Sequence, residues 1–342
     1  MLNYIPVLKT SDAELRALKF VNDEIKRKIL PVFELTRSRK TKRLPNGSAI
    51  RRLEQVAEIY KNYPYILDIC TEPDLMNDEM IDFFDQEAGY KNWRNFLNFA
   101  TAGQTIPCVL YDEDGNRENF LQQVQFIYER FGQLCIRGSY SDAEIVRKLL
   151  NWTSEIVPPD RIIIGGSVYF IPQGMLPNYE AMATQFLNDA IGNIAPRIVF
   201  VTSSSFPKSV GTGAYGEDDA GTFPFIEMSL TQNLKMGFPN LPLIHSDYAS
   251  VHPIRYQTKA YNWVPRIDAI LDGNYTYTRL RQDDGGYSLA AKILYAKHNS
   301  ELVDCWGTSQ IREAAIDNKL GGRSPSFWIS SRINQWITRA AA

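Results

Sequence analysis

A closed, TIM-like (β/α)8 barrel is the fold class this sequence predicts, and three observations predict it. Eight short apolar runs are spaced along the chain, they are rich in β-branched or aromatic residues, and each is followed by a stretch of helical patterning. Nearly continuous apolar runs of this kind read as parallel strands covered on both faces. Eight of them alternating with helices close into a barrel whose functional face is the ring of strand C-terminal ends. The length of 342 residues suits one such barrel with insertions. An open sheet with one fewer parallel strand is the alternative.

The eight runs are Ile29–Leu35, Tyr65–Cys70, Ile106–Tyr111, Gln133–Ser139, Arg161–Tyr169, Arg197–Ser203, Leu241–Asp247 and Tyr275–Arg281. The last is the weakest, because it alternates polar and apolar residues. Before the first run, Ser11-Asp12-Ala13-Glu14 caps a helix in which Leu15, Leu18, Val21 and Ile25 recur at helical spacing. After it, Ser48 caps an amphipathic helix carrying Ile50, Leu53, Val56, Ala57 and Tyr60. Asp78–Phe99, Arg117–Phe131, Asp142–Ile156 and Asn178–Ile191 supply the next helices, and Asp284–His298 follows the eighth run. Gly211–Phe238 reads as an irregular loop with a short helix. The organisation expected is one barrel domain over residues 1–342, with 299–342 packed on it as a helical extension.

Composition excludes several classes. A hydrophobic share of 44% and a charged share of 22% are those of a globular chain with a large core. A net charge of -2 gives no global attraction to nucleic acid or to an anionic membrane, so any anion site must be local. No apolar run approaches the roughly 20 residues of a bilayer span. Met1–Pro6 lacks the basic region and long apolar segment of a signal peptide. Four cysteines in this length make no disulfide framework. Cys70, Cys108 and Cys135 each fall within an expected strand, as reduced, buried thiols. Cytoplasmic residence follows as the expectation, and no cysteine pair has zinc-chelating spacing.

Alternation along a strand sends every second side chain into the lumen. If Val32 points inward, so does Glu34; if Ile66 does, so does Asp68. The same parity pairs Cys135 with Arg137, His245 with Asp247, and Tyr277 with Arg279. All these charges stand near strand C-terminal ends, where neighbouring acids raise one another's pKa and supply a general acid and base. A ring of ion pairs that merely seals the barrel top is the competing reading. Around the seventh run, His245-Ser246-Asp247-Tyr248-Ala249-Ser250-Val251-His252 is the densest polar constellation, although its histidine spacing is not a chelating one. Without a G-x-S-x-G elbow it is no nucleophile triad either.

Arg37-Ser38-Arg39-Lys40-Thr41-Lys42-Arg43 places five basic residues among seven in the loop after Glu34, where they would overhang the mouth and attract an anion. Gly211-Thr212-Gly213-Ala214-Tyr215-Gly216 matches a dinucleotide fingerprint by letter only, because no strand directly precedes it. Gly285-Gly286 opens a helix where barrels often hold phosphate, but Asp283 and Asp284 would repel one. In the tail, Phe327, Ile329, Ile333, Trp336 and Ile337 form an aromatic stripe of the core-packing kind.

Three segments together resemble the beta protein family, named for a protein of a T-even bacteriophage and found in bacteria and their mobile elements. They are Tyr4-Ile5-Pro6-Val7-Leu8-Lys9 with Glu14–Leu18, then Ile29–Leu35, then Ser246-Asp247-Tyr248-Ala249-Ser250 with Tyr277 and Arg279. The resemblance runs the length of the chain and carries no reaction with it; its phage setting implies a part in phage–host conflict. The family's ending, a tryptophan followed by a histidine pair, is altered here: Trp328 is present, but Asn334 and Gln335 stand where the histidines are expected.

The leading expectation is a barrel that binds a small anionic ligand, phosphorylated or not, and hydrolyses it. Glu34 and Asp68 serve as acid and base, with Asp247 and His245 orienting water or a weakly bound metal. Arg137, Arg279, Tyr248, Arg37 and Lys40 hold the ligand. No cofactor is indicated. The alternative is a non-enzymatic interaction or scaffold protein that meets a protein partner through the tryptophan-rich tail. An open polar pocket at the strand ends favours the first, a plugged lumen the second.

Overall fold

The computed structural model of the chain describes residues 2–112, 114–211, 213–255 and 263–342. Its strands are β1 (Tyr4–Lys9), β2 (Val32–Leu35), β3 (Tyr65–Ile69), β4 (Thr105–Pro107), β5 (Leu134–Ser139), β6 (Ile162–Phe170), β7 (Ile198–Ser204), β8 (Ala220–Pro224), β9 (His245–Asp247), β10 (Arg266–Ile270) and β11 (Asn274–Arg279). Eight form one parallel sheet in the order β4-β3-β2-β1-β9-β7-β6-β5. At its two edges, Cys108 bridges Cys135 in parallel and the Val109 N–H donates to the Cys135 carbonyl at 3.0 Å. The sheet thus curls into a (β/α)8 barrel, with β1 to β7 and then β9 in sequence around it.

Seven of the eight apolar runs supply barrel strands, and Val32, Ile66, Cys135, Ile163 and Val199 are all fully buried in parallel strands. The eighth run needs correction, and the barrel takes its place from a segment outside the eight. The missing barrel strand is β1, at the N-terminus, where Pro6 argues against a central strand because it cannot donate to a ladder. Tyr275–Arg281 is not in the barrel. Its residues form β11, the middle of an antiparallel sheet ordered β10-β11-β8. The Tyr-Thr alternation of Tyr275–Thr278 belongs to such an antiparallel ribbon and not to a doubly covered parallel strand. The Gly211–Phe238 segment likewise holds a strand, β8, besides the helix Glu227–Gly237.

Two apolar layers follow from strand alternation. Ile5, Val7, Val32, Ile66, Cys135 and Phe200 fill the lumen. Tyr4, Leu8, Phe33, Leu67, Ile136 and Val201 face the surrounding helices. The final helix, Pro325–Ala340, packs against the helix Asp12–Lys19 and against β10, where Asn334 Nδ2 donates to the Ala17 carbonyl at 3.1 Å. It stands in the helix ring beside the first helix, with Trp336 and Ile337 buried as the aromatic stripe requires.

Gly165 on β6 lies opposite Arg137 on β5. A Cβ there would come within 2.5 Å of the Phe200 ring and 2.7 Å of Arg137 Cγ. Gly165 therefore makes the room through which the Arg137 side chain crosses the lumen. Gly165→Ala is expected to lower stability by about 1–3 kcal/mol through overpacking, read as a shifted urea midpoint; an unchanged midpoint would show the lumen to be looser than this.

Candidate functional site

The C-terminal ends of β1, β2, β3 and β5 bring four charges together. The pairing register sets Lys9 beside Glu34 and Glu34 beside Asp68, each two residues beyond a lumen-facing Val7, Val32 or Ile66. Arg137, two residues beyond Cys135, reaches both acids: its Nη2 donates to Glu34 Oε1 at 3.1 Å, and its Nη1 pairs with Asp68. Lys9 Nζ lies 2.8 Å from Glu72 Oε1 and 3.6 Å from Glu34 Oε2, and also donates to the Pro253 carbonyl. These groups floor a cavity of about 810 Å³ at the barrel mouth, walled by Tyr111, Tyr169, Tyr248, Phe84 and Ile254. Tyr248 also meets Ser167, at 3.0 Å between hydroxyls.

The two acids sit in unequal fields. Burial opposes ionisation of Glu34, yet Lys9 and Arg137 together hold its carboxyl below the ordinary range. Burial also acts on Asp68 and outweighs Arg137 and the Ile69 N–H, with Glu34 as a like charge beside it, so its carboxyl is raised. Sequence alone suggests Glu34 as acid and Asp68 as base; the surroundings favour the reverse. Burial works against the charge on Lys9, but Glu34 and Glu72 keep it protonated, above the usual lysine range. Burial, with Glu34 nearby, pushes the Cys70 thiol up to about 12. Neither a protonated lysine nor a neutral thiol is poised as a nucleophile.

Glu34, Asp68 and Arg137 meet at the mouth as parity predicts, and Tyr248 lines the same cavity although it is one residue off the parity expected for its strand; the other expected residues do not join them. His245 and Asp247 share a parity, but it is the outward one, and Ser246 takes the lumen side with its hydroxyl 2.8 Å from that of Thr202. Asp247 is 1% exposed and accepts from Trp336 Nε1 at 2.9 Å, from the Ala249 N–H at 2.7 Å and from the Tyr4 hydroxyl. His245 spans Asp247 Oδ2 and Thr231 Oγ1, at 2.9 and 2.8 Å. Nearby Glu227, raised by burial and by Asp247, is held by Ser205 and Tyr275. This polar cluster fastens the last helix to the barrel wall. Arg279 leaves the mouth because β11 does, and pairs instead with Asp218. Arg37 donates to the Asp74 carbonyl at 2.8 Å and Lys40 is exposed, and neither lines the cavity.

Sequence reasoning missed Lys9, Glu72 and Tyr169. Recognising β1 as a strand would have found Lys9 by the same parity as Glu34. Asn334 and Gln335, in place of the expected histidines, hold backbone: Asn334 bridges Gly307 and Ala17, and Gln335 spans Ile270 and Asp268. Among the described residues, no group of three or more His, Cys, Asp and Glu side chains is arranged to hold a metal ion, and no helix is long and apolar enough to cross a membrane. The four cysteines are free.

A family model described as Beta protein matches residues 4–342. Protein beta of Enterobacteria phage P4 is 28% identical over 340 residues, covering 98% of this chain and 92% of that protein. The phage setting implied by the resemblance is that of this relative, a protein of phage P4. Among solved structures, a triosephosphate isomerase from Bartonella henselae is similar at 10% identity, covering 73% of this chain and 94% of its own, with a TM-score of 0.36.

Two outcomes follow from this geometry. Asp247→Ala is expected to cost about 3–5 kcal/mol of stability, because it strands buried donors and a histidine that share one carboxylate. Chemical unfolding beside wild type measures it, and an unchanged midpoint would remove the cluster from its fastening role. Glu34 has a depressed carboxyl, so its stabilising contribution is complete above the ordinary carboxylate range and disappears as pH falls through that lower value. Glu34→Gln should therefore flatten the acid limb of melting temperature against pH.

Proposed function

The chain belongs to the phage-related Beta protein family, and on that premise we propose that its barrel mouth binds a small polar ligand and hydrolyses it by general acid–base chemistry. One observation carries this reading: the strand ends surround an open cavity of about 810 Å³ whose floor is a charged network, where a scaffold would have a plugged lumen. Asp68, with its raised carboxyl, is the proton donor, and ionised Glu34 is the base that takes a proton from water. Arg137 holds the two acids in place and keeps Glu34 charged. Tyr248, on the lumen side next to Ser167, is a ligand contact.

The ligand proposed is not the anion expected from the basic loop, because that loop is outside the cavity. The two cations of the floor, Lys9 and Arg137, are already matched by Glu34, Asp68 and Glu72. Cysteine or lysine covalent catalysis has no support here, since burial raises the thiol and ion pairing keeps the amine protonated.

The test is a hydrolysis screen of the full chain against esters, amides, glycosides, nucleotides and phosphoesters, with and without divalent metal. For any substrate turned over, Asp68→Asn is expected to reduce kcat by about 10²–10⁴-fold, with a smaller effect on melting temperature than Asp247→Ala. Turnover that survives both Asp68→Asn and Glu34→Gln unchanged would sink the assignment.

A further inference from the structure

The cavity's own lining sets the sign of what it takes. With Asp68 protonated as the proton donor, its floor sets Lys9 and Arg137 against the ionised Glu34 and Glu72 and is balanced in charge. Its rim adds Asp112, Asp114 and Asp142, with no lysine or arginine among the described residues that line it there. Asp142 accepts through Oδ2 from the Ser139 N–H and hydroxyl, at 2.8 and 2.9 Å, and through Oδ1 from the Ser141 hydroxyl at 3.2 Å. Among the described residues, Asp112 and Asp114 pair with no cation. An anion entering this cavity would meet unmatched negative charge at the rim, whereas a cation would find carboxylates there that no other cation holds.

The rim also carries aromatic faces. Tyr169, 44% exposed, lines the cavity just beyond β6's lumen-facing Ser167, where the pairing with β7 shifts register. Its φ of +57° places a bulky side chain in the left-handed region, although neighbouring Val168 and Ile171 are buried and ordinary. The ring gains little burial from this posture; what it gains is a place at the mouth. Tyr111 lines the same cavity. Ring faces are electron-rich and attract a desolvated organic cation, and carboxylates beside them reinforce that attraction.

We infer that the cavity takes a small organic cation, a protonated amidine, guanidine or amine, with its charged end between the Asp112–Asp114 rim and the Tyr169 ring and its reacting end on the Glu34–Asp68 floor. The cavity makes the site, and the rim carboxylates and rings set its selectivity. The inference rests on the acid–base reading of the same cavity. The two fail on different measurements, namely probe charge here and the loss of turnover in Asp68→Asn there.

Calorimetric titration of the full chain with benzamidinium, benzamide and benzoate tests it, since the three are flat probes of one shape and differ in charge. Benzamidinium is expected to bind about tenfold tighter than benzamide or better, with benzoate giving no heat and the advantage shrinking at high salt. Asp112→Asn combined with Asp114→Asn should remove that advantage. Tyr169→Gly should melt at or above the wild-type temperature, because glycine accepts the positive φ, and yet lose most of the benzamidinium affinity. Benzamide or benzoate binding as tightly as benzamidinium would overturn the inference, as would no heat from all three. Benzamidinium affinity untouched by both sets of substitutions would overturn it too.

Discussion

Two-residue alternation along parallel strands held in register is the constraint on which this molecule depends. It is a local property of extended backbone, yet around a closed barrel it sorts the whole protein into an inner and an outer layer. Because Val7, Val32 and Ile66 sit at one level of the lumen, the residues two places on, Lys9, Glu34 and Asp68, sit together at the next. That next level is the mouth. Three neighbouring charges on adjacent strands cannot coexist unpaired at low exposure, and Arg137, crossing the space that Gly165 leaves open, joins the two acids from the far side.

The same alternation creates a second polar cluster back to back with the first. On β9 the inward place falls to Ser246, so His245 and Asp247 point outward to Tyr4, Thr231 and Trp336. An ionisable pair in that layer would be costly without partners, and every oxygen of Asp247 finds one. The outer cluster explains why the last helix is tethered at Trp336 and not merely packed there. One strand wall thus separates two sets of carboxylates with different fates. One set is open to a cavity and unequal in charge, and the other is sealed and saturated with donors.

How much of this was legible in the sequence depends on what each residue's signal encoded. Glu34, Asp68 and Arg137 were readable because each is two residues past an apolar residue in the middle of a run, and period two carries directly into the lumen. For His245 and Asp247 the parity was right and the face was wrong, since alternation alone does not say which of two faces is inside when both are buried. Lys9 was hidden by Pro6, whose missing N–H makes a strand look improbable, although β1 tolerates it between β2 and β9. Tyr275–Arg281 was misplaced for the opposite reason: its alternation was visible, and only its antiparallel partners β8 and β10 show where it belongs. Tyr169 had no signal at all, because its role arises from a register shift that no residue pattern announces.

The altered C-terminal ending takes on a different meaning once the two layers are separated. Asn334 and Gln335 replace an expected histidine pair, and if those positions reached the cavity, the change would put its chemistry in question. They lie instead on the buried face of the last helix, bonded to backbone of Ala17, Gly307, Asp268 and Ile270. An amide side chain donates and accepts at once, which is what a position facing both an N–H and a carbonyl demands. Neutral imidazole can do the same through its two nitrogens, so the amides meet the hydrogen-bonding demand that the expected histidines would also meet. None of the atoms involved lines the mouth, and the Glu34–Arg137–Asp68 network is bonded independently of them. Asn334 and Gln335 therefore serve to fasten the last helix, and the chemistry of the mouth stands apart from them.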